Sequence, residues 1–456
     1  MNDEKRLSAW TYLAFGSGDL AQNLIYQTIS IYLLLFYTNV YGLAPSLAAG
    51  LFLAVRLADV LWDPLVGAFV DQHDPRWGKY RSYLLSGGIP LAVLAIASFW
   101  TGFSPSFAYA IVTYGGLSLL YTLVNVPYGA LNASLSRKTE EITALTSVRM
   151  FMANVGGLLV GSGVPWLVCH LSRDGQMNTA TAAPAWLATM SLYAVLALGL
   201  LVFCFAFCRE RIVMASSATA EVKVSDLWTE FRRNRPLRVL AFFFITSFAM
   251  LSVGNAAGSY FLIYNLQAED KLPLFMALGT VPAFILMPCL PLIRKVVSKH
   301  ALFYWSLGLG AAGLIAMYVI TKGLAGPLRL WGVMIAQVIK SAGILIATGY
   351  MWALVPEVIS YGELRTGRRL AGIINALTGI FYKAGMAIGG VIPAAVLAGV
   401  GFQAQATTQS SLAQEGVLWV MTVIPAGLLI LAAYIVSRYE LTDEVMNEVN
   451  RALKNR

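Results

Sequence analysis

Charge is scarce in this chain. Only 12% of its 456 residues are Asp, Glu, Lys or Arg, while 58% are hydrophobic. A soluble domain carries about a quarter charged residues, so water is excluded as its main solvent. Histidine is scarcer still. His73, His170 and His300 all fall at the ends of apolar runs, which leaves no histidine proton relay inside a membrane. Cys169, Cys204, Cys208 and Cys289 lie in or beside apolar segments, without disulfide or zinc spacing. They read as packing or lipid-facing residues. No P-loop, HExxH or nucleophile elbow occurs, and no soluble domain exists to hold a nucleotide. A primary pump is thereby excluded. A membrane-bound enzyme would need a catalytic cluster at an interface, and the sequence offers none. No catalytic residue and no cofactor is expected, and transport must run on an ion gradient or on the substrate gradient itself.

What is present is a series of long apolar runs. A spanning helix needs about 20 mostly apolar residues. By that measure there are twelve, at 9–38, 45–72, 82–102, 106–136, 142–170, 184–208, 237–266, 272–293, 301–321, 328–357, 369–400 and 416–438. The first has no convincing cleavage site after it and reads as a membrane helix, not a removed signal. Basic residues gather in alternate turns, including Arg76, Lys79 and Arg81, the stretch from Arg209 to Arg238, and Arg294, Lys295 and Lys299. The opposite turns are nearly free of them. That bias puts both termini in the cytoplasm and accounts for the net charge of +9 without nucleic acid as a partner. The polar stretch 209–236 divides the chain into residues 1–208, with six spans, and 237–438, with six more. This is the layout of the major facilitator fold, all-α, with two pseudo-symmetric six-helix halves and substrate between them. Residues 439–456 read as a solvated cytoplasmic helix. DLWTEFRRNRPL, inside the central loop, reads as a short amphipathic surface helix.

Several spans carry polar groups where hydrocarbon is expected. An ionisable residue within a span marks an ion or substrate pathway by default. In FGSGDLAQNLIYQ, Asp19, Asn23 and Tyr26 fall at i, i+4 and i+7 on one stripe, with Gly16 and Gly18 available for close helix packing. In RLADVLWDP, Asp59 and Asp63 share one helix face, and Arg56 stands three residues before Asp59. The two carboxylates suit Na⁺. Alternatively, burial and mutual repulsion hold a proton on one of them, or Arg56 simply neutralises Asp59. Thr122 and Asn125 are neutral oxygen donors beside the helix-kinking Pro127. Arg149 in LTSVRMFMANVGG can hold two hydroxyls or a carboxylate bidentately, and can partner Asp19. Lys340 and Lys383 lie within later spans, and Trp352 offers an aromatic platform for a sugar ring.

FYTNVYGL, RLADVLWDP, RWGKYR, YTLVNVPYGAL and WALVPEVISYGELRTGRR together resemble the glycoside–pentoside–hexuronide:cation symporters, the family of the melibiose and glucuronide carriers. The resemblance covers essentially the whole chain. It implies import of a glycoside, pentoside or uronide with a cation, by alternating access, in a bacterial cytoplasmic membrane and as a monomer. It implies sugar contacts at Asp19, Tyr26, Arg149 and Lys383, and a cation site at Asp59, Asp63 and Thr122. Position and chemistry add Asn23, Asn125 and Trp352 as substrate candidates, Asn125 as a further cation ligand, and a gating turn at Asp71, Arg76, Lys79 and Arg81. Two positions depart from the melibiose carrier: Asn125 replaces an aspartate and Gly129 replaces a tryptophan. The first tilts the coupling ion from Na⁺ toward H⁺. The second argues against melibiose. A lysolipid carrier of the same fold and a non-transporting sugar sensor are the alternatives.

Overall fold

The computed structural model describes residues 6–73, 75–102, 105–136, 139–211, 228, 231–366, 371–403 and 409–454. Within some helices only the backbone is described, and Asp63 and Asp71 are among those positions. The expected cation ligand Asp63 and gating residue Asp71 therefore lie outside the described side chains. Most of the expected central loop lies outside the described residues altogether.

The described residues are overwhelmingly helical and contain no strand. The elements are α1 (Ala9–Leu35), α2 (Pro45–Gln72), α3 (Ser82–Ser86), α4 (Gly88–Ser98), α5 (Phe107–Leu135), α6 (Thr139–Leu158), α7 (Val164–Leu171) and α8 (Ala183–Phe207). Then follow α9 (Arg235–Tyr260), α10 (Leu272–Val296), α11 (Lys299–Gly323), α12 (Gly326–Met351), α13 (Leu354–Thr366), α14 (Ala371–Gly399), α15 (Ser411–Leu418), α16 (Ile424–Val436) and α17 (Asp443–Lys454). π-helical stretches extend α1 (Phe36–Val40) and α9 (Phe261–Leu266), and join α6 to α7 (Leu159–Gly163) and α15 to α16 (Trp419–Val423).

Among the described residues, nine helical stretches are long and apolar enough to cross a membrane. The other three expected spans coincide with α1, α2 and the α3–α4 pair. The first two carry the intramembrane polar groups. The third is interrupted at Gly87, where Pro90 cannot donate a hydrogen bond to Ser86. The expected span 328–357 is likewise divided at Trp352, four residues before Pro356.

Two compact units are formed. One comprises Met1–Ser217 with Ala268–Ala277 and Leu397–Ser410; the other comprises Ala218–Gln267, Leu278–Val396 and Ser411–Arg456. In the first, α1 is clasped by α6 and α8. A methyl group on Gly18 would lie 2.5 Å from Tyr128 Cε2, and one on Gly16 would lie 2.8 Å from Val148 Cγ1. Only hydrogen allows this approach, and it brings Asp19 beside α5 and α6. The π-helical join after α6 disturbs the regular backbone ladder. Tyr193 and Tyr32 hydroxyls donate to the carbonyls of Leu159 (2.7 Å) and Gly161 (2.6 Å) there.

In the second unit, Phe243, Phe244, Phe303, Met351 and Leu429 belong to a continuous apolar core. The C-terminal helix α17 is part of it, which corrects the expectation of a solvated tail. Val445, Met446, Val449 and Leu453 form one apolar stripe; Met446 and Val449 are buried. Asp443 at its start accepts from Arg294 Nη2 at 2.8 Å and from the Lys299 backbone N–H at 3.2 Å. Lys299 donates to Glu357 (2.6 Å) and to the Leu441 carbonyl (2.7 Å). Burial, with the Glu357 carboxylate close by, pushes the Tyr439 phenol well above its ordinary range, so it stays protonated and donates to Glu357.

Candidate transport site

The polar residues of α1, α2, α5 and α6 meet inside the first unit. Asp19 is buried, and Arg149 Nε donates to its Oδ1 at 3.1 Å. Asn23, one turn on, donates to the other oxygen, Oδ2, at 3.3 Å. Gln27 in turn donates to Asn23 Oδ1 at 2.9 Å. Asp19, Asn23 and Gln27 therefore form a hydrogen-bonded ladder along α1, while Tyr26 of the expected stripe bonds elsewhere. The Arg149 guanidinium also lies over the Tyr128 ring at 5.1 Å, and the Tyr128 hydroxyl donates to the Phe15 carbonyl at 2.5 Å. The arginine is thus held by a carboxylate on α1 and an aromatic face on α5.

A second acid–base pair lies on α2. Asp59 and Arg56 are both buried, with Nη1 3.6 Å from Oδ2. Ser118 Oγ on α5 reaches both Asp59 oxygens, at 2.7 and 2.8 Å. Arg56 Nη1 also donates to the Tyr26 hydroxyl at 3.1 Å. Arg56 Nε and the Tyr114 hydroxyl are buried without a hydrogen-bond partner among the described residues. A buried donor without a partner costs about 1–3 kcal/mol.

The two pairs are joined. Tyr26 stacks on Tyr121 with ring centroids 4.6 Å apart. Asn125 donates to the Tyr121 hydroxyl at 3.3 Å and to Gln22 Oε1 on α1 at 2.8 Å. Asn125 thereby touches both the tyrosine stack and the helix bearing Asp19. Thr122 is buried one turn beyond Ser118.

The spacing within α1 and α2 pointed to Asp19, Asn23, Tyr26, Arg56 and Asp59, and the structure brings these five into one network with Asn125 and Arg149. It also recruits Gln22, Ser118, Tyr121 and Tyr128, which composition did not single out. Their signal was present as spacing: Ser118, Thr122 and Asn125 lie at i, i+4 and i+7 on α5, and Gln22 is three residues after Asp19. Trp352 and Lys383 belong to the second unit. There Trp352, about half exposed, meets the rings of Phe244 (4.9 Å), Phe248 (6.1 Å) and Tyr382 (6.4 Å). Lys383, next to Tyr382 in sequence, is half-buried. Lys340 lies where α12 presses on α11: a methyl group on Gly313 would fall 2.5 Å from its backbone nitrogen.

The turn after α2 is organised by a residue the gating assignment did not include. Glu210 accepts the backbone N–H groups of Lys79 (3.1 Å), Tyr80 (2.7 Å) and Arg81 (3.0 Å). Arg81 donates to the Trp77 carbonyl and lies 5.0 Å over the Phe205 ring, while Arg76 is exposed.

Residues 14–443 match the MFS/sugar transport protein family. The chain belongs to that family. Among curated relatives of this family member, it is 41% identical to the "Uncharacterized symporter YnaJ" of Bacillus subtilis (strain 168), over 99% of this chain and 96% of that protein. It is 28% identical to the "Glucuronide carrier protein homolog" of Escherichia coli (strain K12), over 99% and 97%. It is 26% identical to the "Isoprimeverose transporter" of Lactiplantibacillus pentosus, over 88% and 82%. Among solved structures, a D-xylose–proton symporter superposes with a TM-score of 0.68 at 16% identity, covering 96% of this chain and 98% of that one. At that identity the likeness shows the fold, which is that of the major facilitator transporters. This member of the sugar transport family is a multi-pass membrane protein and a secondary transporter.

Proposed function

We propose that the chain imports a glycoside, pentoside or uronide by symport with a cation, H⁺ in preference to Na⁺, across a bacterial cytoplasmic membrane with both termini inside. Its working parts are residues 1–208 and 237–438, joined by the cytoplasmic loop 209–236 and followed by the tail 439–456. The observation that carries this reading is the pairing of two buried acid–base couples, Asp19–Arg149 and Asp59–Arg56, linked through the Tyr26–Tyr121 stack. Curated relatives with symport and glycoside transport in their names support the same reading.

In this scheme the sugar hydroxyls bridge Asp19 and Arg149, joined by Asn23 and Tyr26. The cation acts at Asp59, with Asp63, Thr122 and Asn125 as its further ligands. Trp352 and Lys383 contribute from the second half, and the turn carrying Asp71, Arg76, Lys79 and Arg81 gates the cytoplasmic end. A cation or proton at Asp59 competes with Arg56 for the carboxylate. Arg56 then tightens on the Tyr26 hydroxyl, and the Tyr26–Tyr121–Asn125 series passes that change to α1. Sugar and cation affinities are therefore reciprocally linked.

The test is counterflow in vesicles with α- and β-glycosides, pentosides and uronides, with Na⁺ present or absent and pH varied. Sugar uptake that rises with an inward proton gradient and ignores Na⁺ is expected. Na⁺ stimulation at fixed pH overturns the assignment of the ion. Asp59→Asn should abolish accumulation against a gradient while sparing counterflow; intact accumulation overturns the cation site. Tyr26→Phe keeps the ring stack but removes the Arg56 hydrogen bond, and should weaken the effect of the cation on sugar affinity.

A further inference from the structure

Where α9 begins and α16 ends, a groove of about 310 Å³ opens, lined by Arg235, Arg238, Val239, Tyr434, Ile435 and Arg438, with Phe242 on its wall. Three arginines are among its lining residues. The carboxylate near them is Glu440, and it is engaged by Arg235 at 2.5 Å. Arg438 donates to the Tyr434 hydroxyl at 3.1 Å and lies 5.2 Å over that ring, which fixes it without neutralising it. The Arg238 guanidinium has no hydrogen-bond or ion-pair partner among the described residues and is exposed. The groove therefore carries a surplus of positive charge, with Arg438 held in place and Arg238 free to meet a ligand.

Its surroundings are apolar. Phe242 is 54% exposed, Tyr434 58% and Ile430 60%, on the two stretches Arg235–Leu266 and Ser411–Val436 that are long and apolar enough to span a membrane. The arginines stand at the ends of those stretches, where headgroups lie. A soluble anion would use the charges and leave the rings unused. A molecule with an anionic phosphodiester and acyl chains uses both. Basic pockets between spanning helices select such headgroups, and guanidinium groups match phosphate oxygens in fork geometry.

We infer that this groove is a binding site for the headgroup of an anionic phospholipid, held by Arg238 and Arg438 with its chains along Phe242 and Tyr434. The inference rests on the membrane placement of these helices and not on the identity of the sugar or ion.

The experiment uses the full-length protein, purified and returned to vesicles of phosphatidylcholine, or of phosphatidylcholine mixed with phosphatidylglycerol, then extracted for native mass spectrometry. Wild-type protein should retain phosphatidylglycerol in preference to phosphatidylcholine. Arg238→Gln with Arg438→Gln should lower that preference by about thirtyfold, the order expected from two charges at a membrane surface. Sugar counterflow by this variant in phosphatidylcholine vesicles reports that it is folded. Arg238→Lys with Arg438→Lys, which keeps the charge and loses the fork, provides a second folded variant and should retain less phosphatidylglycerol than wild type. Equal retention of both lipids by wild type, or unchanged phosphatidylglycerol retention by the Gln variant, overturns the site. Displacement of the lipid by millimolar inorganic phosphate would assign the groove to a soluble anion and overturns it as well.

Discussion

The two units place their charged pairs differently. In the first, each cation within a span faces an acid: Arg149 faces Asp19, and Arg56 faces Asp59. In the second, Lys340 and Lys383 sit on α12 and α14, which contain no carboxylate at all. The first unit answers burial with ion pairs and a hydrogen-bonded network. The second keeps its ion pairs near helix ends, Lys299 with Glu357 and Lys322 with Glu415, and fills the space between with helices pressed together at glycine and a cluster of aromatic rings around Trp352. Exchangeable polar contacts dominate the interior of the first unit, and tight backbone approach with ring surface that of the second.

The strongest way to break this comparison is to leave one partner of a first-unit pair alone. Arg149→Gln strands the Asp19 carboxylate and should cost about 3 kcal/mol or more of stability, as breaking a buried pair does. Adding Asp19→Asn should recover much of that loss in thermal unfolding, while sugar binding stays absent. If the double variant is no more stable than Arg149→Gln, the pair is not a balanced unit.

The second unit should fail through packing. A methyl group on Gly389 would lie 2.2 Å from the Ala249 carbonyl oxygen, whereas Gly379 on the same helix has open space around it. Gly389→Ala should destabilise by about 1–3 kcal/mol through overpacking. Gly379→Ala should be neutral or stabilise by up to about 1 kcal/mol from helix propensity. Equal melting temperatures for the two variants would remove the contrast.

Lys340→Met tests what a lysine within a span of the second unit contributes. The Lys340 ammonium has no ion-pair or hydrogen-bond partner among the described residues, so an apolar side chain of similar length should raise the melting temperature by a few degrees and leave counterflow intact. Loss of uptake with unchanged stability would move Lys340 into the transport machinery.

The smallest effect concerns a carboxylate outside the membrane. Hydrogen bonds from Ser172, Thr181 and Thr179 hold the Asp174 carboxyl well below the usual carboxylate range. A lowered folded-state value means its contribution is complete above the unfolded-state value and fades as pH falls through the folded one. Hydrogen exchange at Gln176, whose N–H donates to Asp174 at 3.2 Å, should accelerate relative to neighbouring amides only in strongly acidic solution. In Asp174→Asn that acid dependence should vanish.

Much of this was legible in the sequence because a lipid solvent tolerates so few exceptions. Asp19, Arg56, Asp59 and Arg149 stand out against hydrocarbon, and their helical spacing was enough to put Asp19, Asn23 and Tyr26 on one stripe. Ser118, Tyr121 and Gln22 were not legible because hydroxyl and amide groups are common in spans and can satisfy themselves on their own backbone. Only the approach of α5 to α1 and α2 tells them apart. Glu210 was hidden for a different reason. It sits among basic residues in what reads as a generic polar loop, yet it orders a turn well over a hundred residues earlier. The C-terminal helix was misjudged because its charged face dominates its composition, although four apolar residues suffice to dock it.

The π-helical stretches at the ends of α1 and α9 carry a last consequence. Phe36–Val40 closes α1 and Phe261–Leu266 closes α9. Each widened turn takes in an extra residue, so side chains beyond it are rotated from the faces a regular helix would give them. The sequences FYTNV and FLIYNL share little, but the irregularity falls at the same place in both. Tyr41 and Gln267, which follow the two stretches, are thus carried to faces that counting by 3.6 residues would not assign them.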